Sequence, residues 1–158
     1  MSHRAEDWKS IDDVLDFAIR GEEESRDFYL EMAGQMTSSA MASTFEQFAR
    51  EETGHRDLLL ELKQKGIGAA GQDEGMIQDL RISEYVTSVK PSPGMSYEDA
   101  LVFAMQKEKI AFRLYSHLAE SASDAGTGEV FAMLAREEAR HKLRFELEYD
   151  DMASRSGN

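Results

Sequence analysis

The string Ala49-Arg50-Glu51-Glu52-Thr53-Gly54-His55 occurs twice in this chain. The same A-R-E-E-x-x-H pattern returns at Ala135-Arg136-Glu137-Glu138-Ala139-Arg140-His141, 86 residues later. Residues three apart on a helix share a side, so Glu52 with His55, and Glu138 with His141, can each grip one metal ion. The same offset maps Glu22 onto Glu108 and Tyr29 onto Tyr115. Four carboxylates gathered in one core would repel strongly, and two divalent cations cancel that charge. The expected set is therefore Glu22, Glu52, Glu108 and Glu138, with one nitrogen each from His55 and His141. Such oxygen-rich coordination suits iron or manganese, and a chain without cysteine offers no thiolate for copper(I).

These residues need long helices to position them, and the apolar pattern supplies four. Ser10 followed by Asp13 reads as a helix start. From Ile11 the positions Val14, Leu15, Ala18, Ile19, Phe28, Tyr29 and Met32 recur at helical spacing, predicting a helix to about Met36. A second helix is expected over 39–65, with Phe45, Phe48, Ala49, Leu58, Leu59 and Leu62 inward, ended by glycines. Ser96 and Asp99 repeat the cap pattern and open a third helix over 97–120. Its expected inward positions are Leu101, Ala104, Met105, Phe112, Tyr115 and Leu118. Residues 121–128 read as a polar, glycine-containing turn, and a fourth helix is expected over 129–152. Between the second and third helices, residues 66–95 hold five of the eleven glycines and both prolines. They read as a long crossover containing a short helix near 76–89. Alternating patterns that would mark strands are absent. The fold class is all-α, a four-helix bundle made of two repeated helical hairpins with one long crossover.

The repeat carries the argument, because its parts are weak alone. Glu22 lies in the run Glu22-Glu23-Glu24, and such runs usually mark solvated faces. A single Glu-x-x-His is common on exposed helices. Residues 14–35 and 100–121, however, share six identities at one offset, and 44–57 and 130–143 share six more. The polar matches fall where a site needs them. Glu51 and Glu137 point off the expected core face and read as surface residues. Tyr29 and Tyr115 read as core packers with a satisfied hydroxyl, and as candidates for orienting a carboxylate. His117 is half a turn out of phase with Glu108 and should face away, and His3 sits in a polar lead-in. The nine methionines are scattered and read as packing filler.

Bulk properties narrow the function classes. At 158 residues the chain is expected to form one domain, 1–158. A formal charge of −13, with no basic stripe, argues against nucleic acid as a partner. No apolar run approaches a membrane span and no secretory leader is evident, so a cytoplasmic protein with no membrane partner is expected.

With Glu22, Glu52-x-x-His55, Glu108 and Glu138-x-x-His141 in register, the chain resembles the ferritin-like superfamily. Within it the chain is similar to the di-iron domain of rubrerythrins, over roughly residues 11–152. The resemblance implies a non-haem site of two iron ions, with manganese or zinc as substitutes, reacting with hydrogen peroxide or dioxygen. It implies that Glu22 and Glu108 are terminal ligands, that Glu52 and Glu138 bridge, and that each histidine holds one iron. A homodimer is implied as well. Two departures stand out. Rubrerythrins carry a cysteine-rich rubredoxin domain, so catalysis here would draw on a separate, rubredoxin-like donor protein. They also carry a second glutamate three residues after the third-helix ligand, where this chain has Ala111. A ferroxidase or iron-handling protein, and a non-catalytic divalent-metal-binding bundle, are the alternative readings.

Overall fold

A computed structural model of the protein describes residues 8–66, 80–85 and 94–156. Among them are four α-helices: α1 (Ile11–Gln35), α2 (Ser39–Lys65), α3 (Tyr97–Ser121) and α4 (Ala125–Ser156), with one 3-10 turn at Ile82–Tyr85. Three helices start on a serine cap. The hydroxyl of Ser10 accepts from the Asp13 amide at 3.3 Å, that of Ser38 from Met41 at 3.3 Å, and that of Ser96 from Asp99 at 3.1 Å. Each satisfies an amide that the helix itself leaves unpaired. Helix α2 ends at Gly66, whose φ of 70° places it in the left-handed conformation that stops a helix most easily on glycine.

Two expectations about the elements need correction. Helix α4 begins at Ala125, inside the stretch expected as a turn, and continues to Ser156, beyond 152. The Asp124 carboxylate accepts from the Thr127 amide at 2.8 Å and its hydroxyl at 3.0 Å, which starts the helix ahead of the apolar pattern. Gly128 marks a close approach, because a Cβ there would lie 3.3 Å from the Ala119 carbonyl oxygen at the end of α3. At the far end, an Arg155–Asp151 ion pair of 2.9 Å spans the extra turn. Phe112, expected inward, is 37 % exposed. It lies at the edge of the buried arc of α3, and Leu114 takes the buried position on the opposite edge. Of the short helix expected near 76–89, residues 80–85 are described and hold only the Ile82–Tyr85 turn; 76–79 and 86–89 lie outside the described residues, as does His3.

The core consists of two apolar clusters. One gathers Leu15, Leu59, Tyr115, Leu118, Phe131 and Leu134, and the other gathers Tyr29, Phe45, Phe48, Leu101 and Phe145. Helices α1 and α4 run from the first cluster to the second, whereas α2 and α3 run from the second to the first. Thus α1 and α2 form one antiparallel hairpin, and α3 and α4 form another. Helix α2 ends beside the first cluster and α3 begins beside the second. The end of α2 and the start of α3 therefore lie at opposite ends of the bundle, roughly 40 Å apart for helices of this length. No helix among the described residues is long and apolar enough to cross a membrane.

Candidate metal centre

Each helix leaves one apolar cluster and enters the other, and on every helix the residues between are the polar ones. Glu22 lies between Ile19 and Phe28 on α1, and Glu52 and His55 between Ala49 and Leu59 on α2. Glu108 lies between Ala104 and Leu114 on α3, and Glu138 and His141 between Ala135 and Phe145 on α4. All six expected residues are brought into this one layer, none more than 4 % exposed.

They form two overlapping groups, Glu22–Glu52–Glu138–His55 and Glu108–Glu52–Glu138–His141. In each, one donor atom per residue lies within 4.8 Å of all the others. Nδ1 of His55 is 3.1 Å from Glu52, 3.5 Å from Glu138 and 3.6 Å from Glu22. Nδ1 of His141 is 3.0 Å from Glu108, 3.5 Å from Glu52 and 3.6 Å from Glu138. Glu52 and Glu138 belong to both groups, and Glu22 and Glu108 to one each.

The donor set fits a pair of divalent cations. Both oxygens of Glu52, one each of Glu22 and Glu138, and Nδ1 of His55 are buried without a hydrogen-bond partner. Ionised carboxylates in such surroundings cost several kcal/mol apiece unless compensated. Without metal, the compensation is protons. Burial, and then the charges of Glu108 and Glu22, push the Glu52 carboxyl up to about 8. Burial, followed by the charges of Glu108, Glu22 and Glu52, raises Glu138 as well. Burial opposes a charged His141, but Glu108, Glu52 and Glu51 facing it win and raise it to about 9. Burial likewise opposes charge on His55, and Glu138, Glu22 and Glu52 override it.

These shifts give a pH dependence with one sign. The folded chain keeps the Glu52 proton between its ordinary 4.5 and about 8, where the unfolded chain has lost it. The His141 contribution is complete below 6.5 and is lost as pH rises through about 9. Both make the metal-free protein less stable as pH rises. Calorimetry of metal-free protein should show a lower melting temperature at pH 9 than at pH 6. The metal-loaded protein should lack this decline, because metal replaces the protons. A metal-free protein that gains stability over the same range would contradict the buried arrangement.

Four further side chains hold four of the six in place, each reaching across from the other hairpin. The Tyr29 hydroxyl of α1 donates to Oε2 of Glu108 on α3 at 2.6 Å, and the Tyr115 hydroxyl of α3 donates to Oε2 of Glu22 on α1. Burial and the adjacent carboxylate raise both phenols well above their ordinary value, so both remain protonated donors. Nε2 of His55 bonds Glu137 of α4 at 2.7 Å, and Nε2 of His141 bonds Glu51 of α2 at 2.8 Å. A carboxylate only accepts, so each Nε2 carries the proton. In the neutral ring this leaves the Nδ1 lone pair facing the cluster, the tautomer a metal ligand requires.

Glu51 and Glu137 were expected at the surface, and this needs correction. Each is half-buried at the rim, fixing the opposite histidine. The signal was in the repeat, since both glutamates of E-E recur and a merely solvated residue has no reason to. Glu51 also accepts from Arg140. His141 is held further by stacking on Phe48, with ring centroids 4.0 Å apart. His55 has no such support from the equivalent Leu134. His117 takes no part in either group.

Comparison with known proteins matches residues 13–149 to the family model of rubrerythrin. Among solved structures, a Thermotoga maritima protein described as a ferritin-like diiron-carboxylate protein superposes with a TM-score of 0.72. The match covers 92 % of this chain and 98 % of that one at 18 % identity, so it speaks to the fold. A search of curated proteins found no match.

Proposed function

This chain belongs to the rubrerythrin family, and from that premise we propose that it is a non-haem di-iron oxidoreductase reducing hydrogen peroxide or dioxygen. The observation that carries the reading is the pair of four-residue groups sharing Glu52 and Glu138. Glu22, Glu52, Glu138 and His55 would hold one iron, and Glu108, Glu52, Glu138 and His141 the other. When bound in its reduced state, such a pair supplies two electrons, the number needed to split one O–O bond.

The chain's own residues supply position and protons. Glu137 and Glu51 keep the imidazole lone pairs turned inward, and Tyr115 and Tyr29 fix the outer carboxylates while remaining protonated. The six residues are almost wholly buried between the two apolar clusters, which strengthens each of these interactions. With no cysteine of its own, the chain draws its electrons from a separate donor protein in this reading.

Metal analysis with stopped-flow oxidation of the reduced protein tests it. The expected result is two irons per chain and oxidation by peroxide at least tenfold faster than by dioxygen. Fast reaction with dioxygen followed by mineral growth would favour an iron-handling role. A redox-silent zinc site in protein from iron-rich medium would favour a non-catalytic bundle.

A further inference from the structure

A cavity of about 240 Å³ lies between α1 and α3, running from the surface beside Arg20 and Glu24 down to Glu22, Tyr115 and Glu138. It therefore reaches the layer that holds the metal ligands. It has room for several waters, far more than peroxide or dioxygen needs. Its walls are mostly apolar, from Phe17, Ile110 and Leu114. Its floor is formed by Glu22, Tyr115 and Glu138.

The internal repeat explains why there is a cavity on this side. By the 86-residue offset, Phe17 and Leu114 correspond to Phe103 and Phe28. Phe28 and Phe103 pack edge to face with centroids 4.7 Å apart and close their side of the seam. On the cavity side leucine replaces one of the two rings. The remaining ring, Phe17, packs instead against Trp8 at 5.1 Å. Small side chains at Ser25 and Ala111 leave the middle of the seam open. One half of a duplicated bundle is thus filled, and the other has room for an organic molecule of modest size.

We propose that this cavity binds the organic part of a small alkyl or aryl hydroperoxide, with its hydroperoxyl end directed to the metal centre. Apolar walls suit the hydrocarbon, and the floor at Glu22 and Glu138 brings the hydroperoxyl end to the layer that would hold the metals. The proposal rests on the peroxide reading above and names its substrate class. The balance is ROOH plus two protons plus two electrons from the donor protein, giving ROH and water as the O–O bond breaks.

Binding can be read without turnover. Trp8, the single tryptophan, sits 5.8 Å from the ring of Tyr85, which lines the cavity. Zinc-loaded full-length protein, which is redox-inert, should show a saturable change in Trp8 emission on titration with cumyl alcohol, the unreactive counterpart of cumene hydroperoxide. Leu114→Phe restores the ring found in the other half and should weaken this binding at least tenfold; Ala111→Leu fills the cavity from α3 with the same result. In the reduced iron-loaded protein, both variants should lower the ratio of the cumene hydroperoxide rate to the hydrogen peroxide rate at least tenfold. Melting curves identify a variant that fails to fold, and the other then decides. Absence of saturable binding, or an unchanged ratio in a folded variant, would overturn the assignment while leaving hydrogen peroxide reduction intact. Failure of both peroxides to oxidise the reduced protein would overturn the peroxide reading itself, and the hydroperoxide assignment with it.

Discussion

Replacing Glu52 by glutamine is expected to raise the melting temperature of the metal-free protein and to remove most of the stabilisation that metal gives. The two effects have one cause. In the metal-free fold burial, and then the charges of Glu108 and Glu22, push the Glu52 carboxyl up to about 8. At neutral pH it folds only by taking up a proton that the unfolded chain does not hold. Glutamine has nearly the same shape and needs no proton. Removing the cost of that proton uptake is worth a few kcal/mol, or on the order of 5–10 °C for a chain of this size. Metal acts in the opposite direction. At a thousandfold excess over Kd, each bound ion stabilises by about 4 kcal/mol, so two ions raise the melting temperature by on the order of 15–30 °C. Because Glu52 belongs to both groups, its loss should reduce that rise to under about 5 °C. His55→Ala, which belongs to one group, should leave one metal bound. Calorimetry with and without iron or zinc makes the measurement. A full metal-induced rise in the glutamine variant would show that Glu52 is not shared.

The second large effect is expected at residues that touch no metal. Glu137→Ala should lower affinity for one of the two metals by 10- to 100-fold, the usual result of freeing a ligating histidine from its outer partner. Glu51→Ala should do the same for the other metal, but less strongly. The difference follows from packing: His141 stays stacked on Phe48 at 4.0 Å when Glu51 is removed, whereas His55 has only Glu137 on its outer nitrogen. Calorimetric titration of the metal-free variants with zinc should resolve one weakened and one unchanged site in each. Equal and unaltered affinities in both would show that the glutamates do not position the rings.

How much of this was legible in the sequence depended on whether a feature is local to one helix. Val14, Leu15 and Ala18 on α1, or Leu101 and Ala104 on α3, were assigned to the core correctly because helix geometry alone decides which residues share a face. Glu22 and Glu108 were picked out the same way, as carboxylates on an apolar stripe that recurs. Helix ends were less legible. The start of α4 at Ala125 depends on one aspartate side chain folding back to Thr127, and Gly128, a residue type that normally signals a turn, instead allows α3 and α4 to approach.

What the sequence determined by itself was the set of four helices and the six residues that face their common centre, because 3.6-residue periodicity and an internal repeat are properties of the chain. What only the tertiary structure decided was which side chain meets which across the bundle. Tyr29 serves Glu108 rather than its neighbour Glu22, and Glu51 serves His141 rather than its neighbour His55. The cavity is of the same kind, since Leu114 in place of a phenylalanine opens space only where α1 and α3 face each other. A helix specifies the direction of each side chain, but the partner lying in that direction belongs to another helix, and packing alone brings it there.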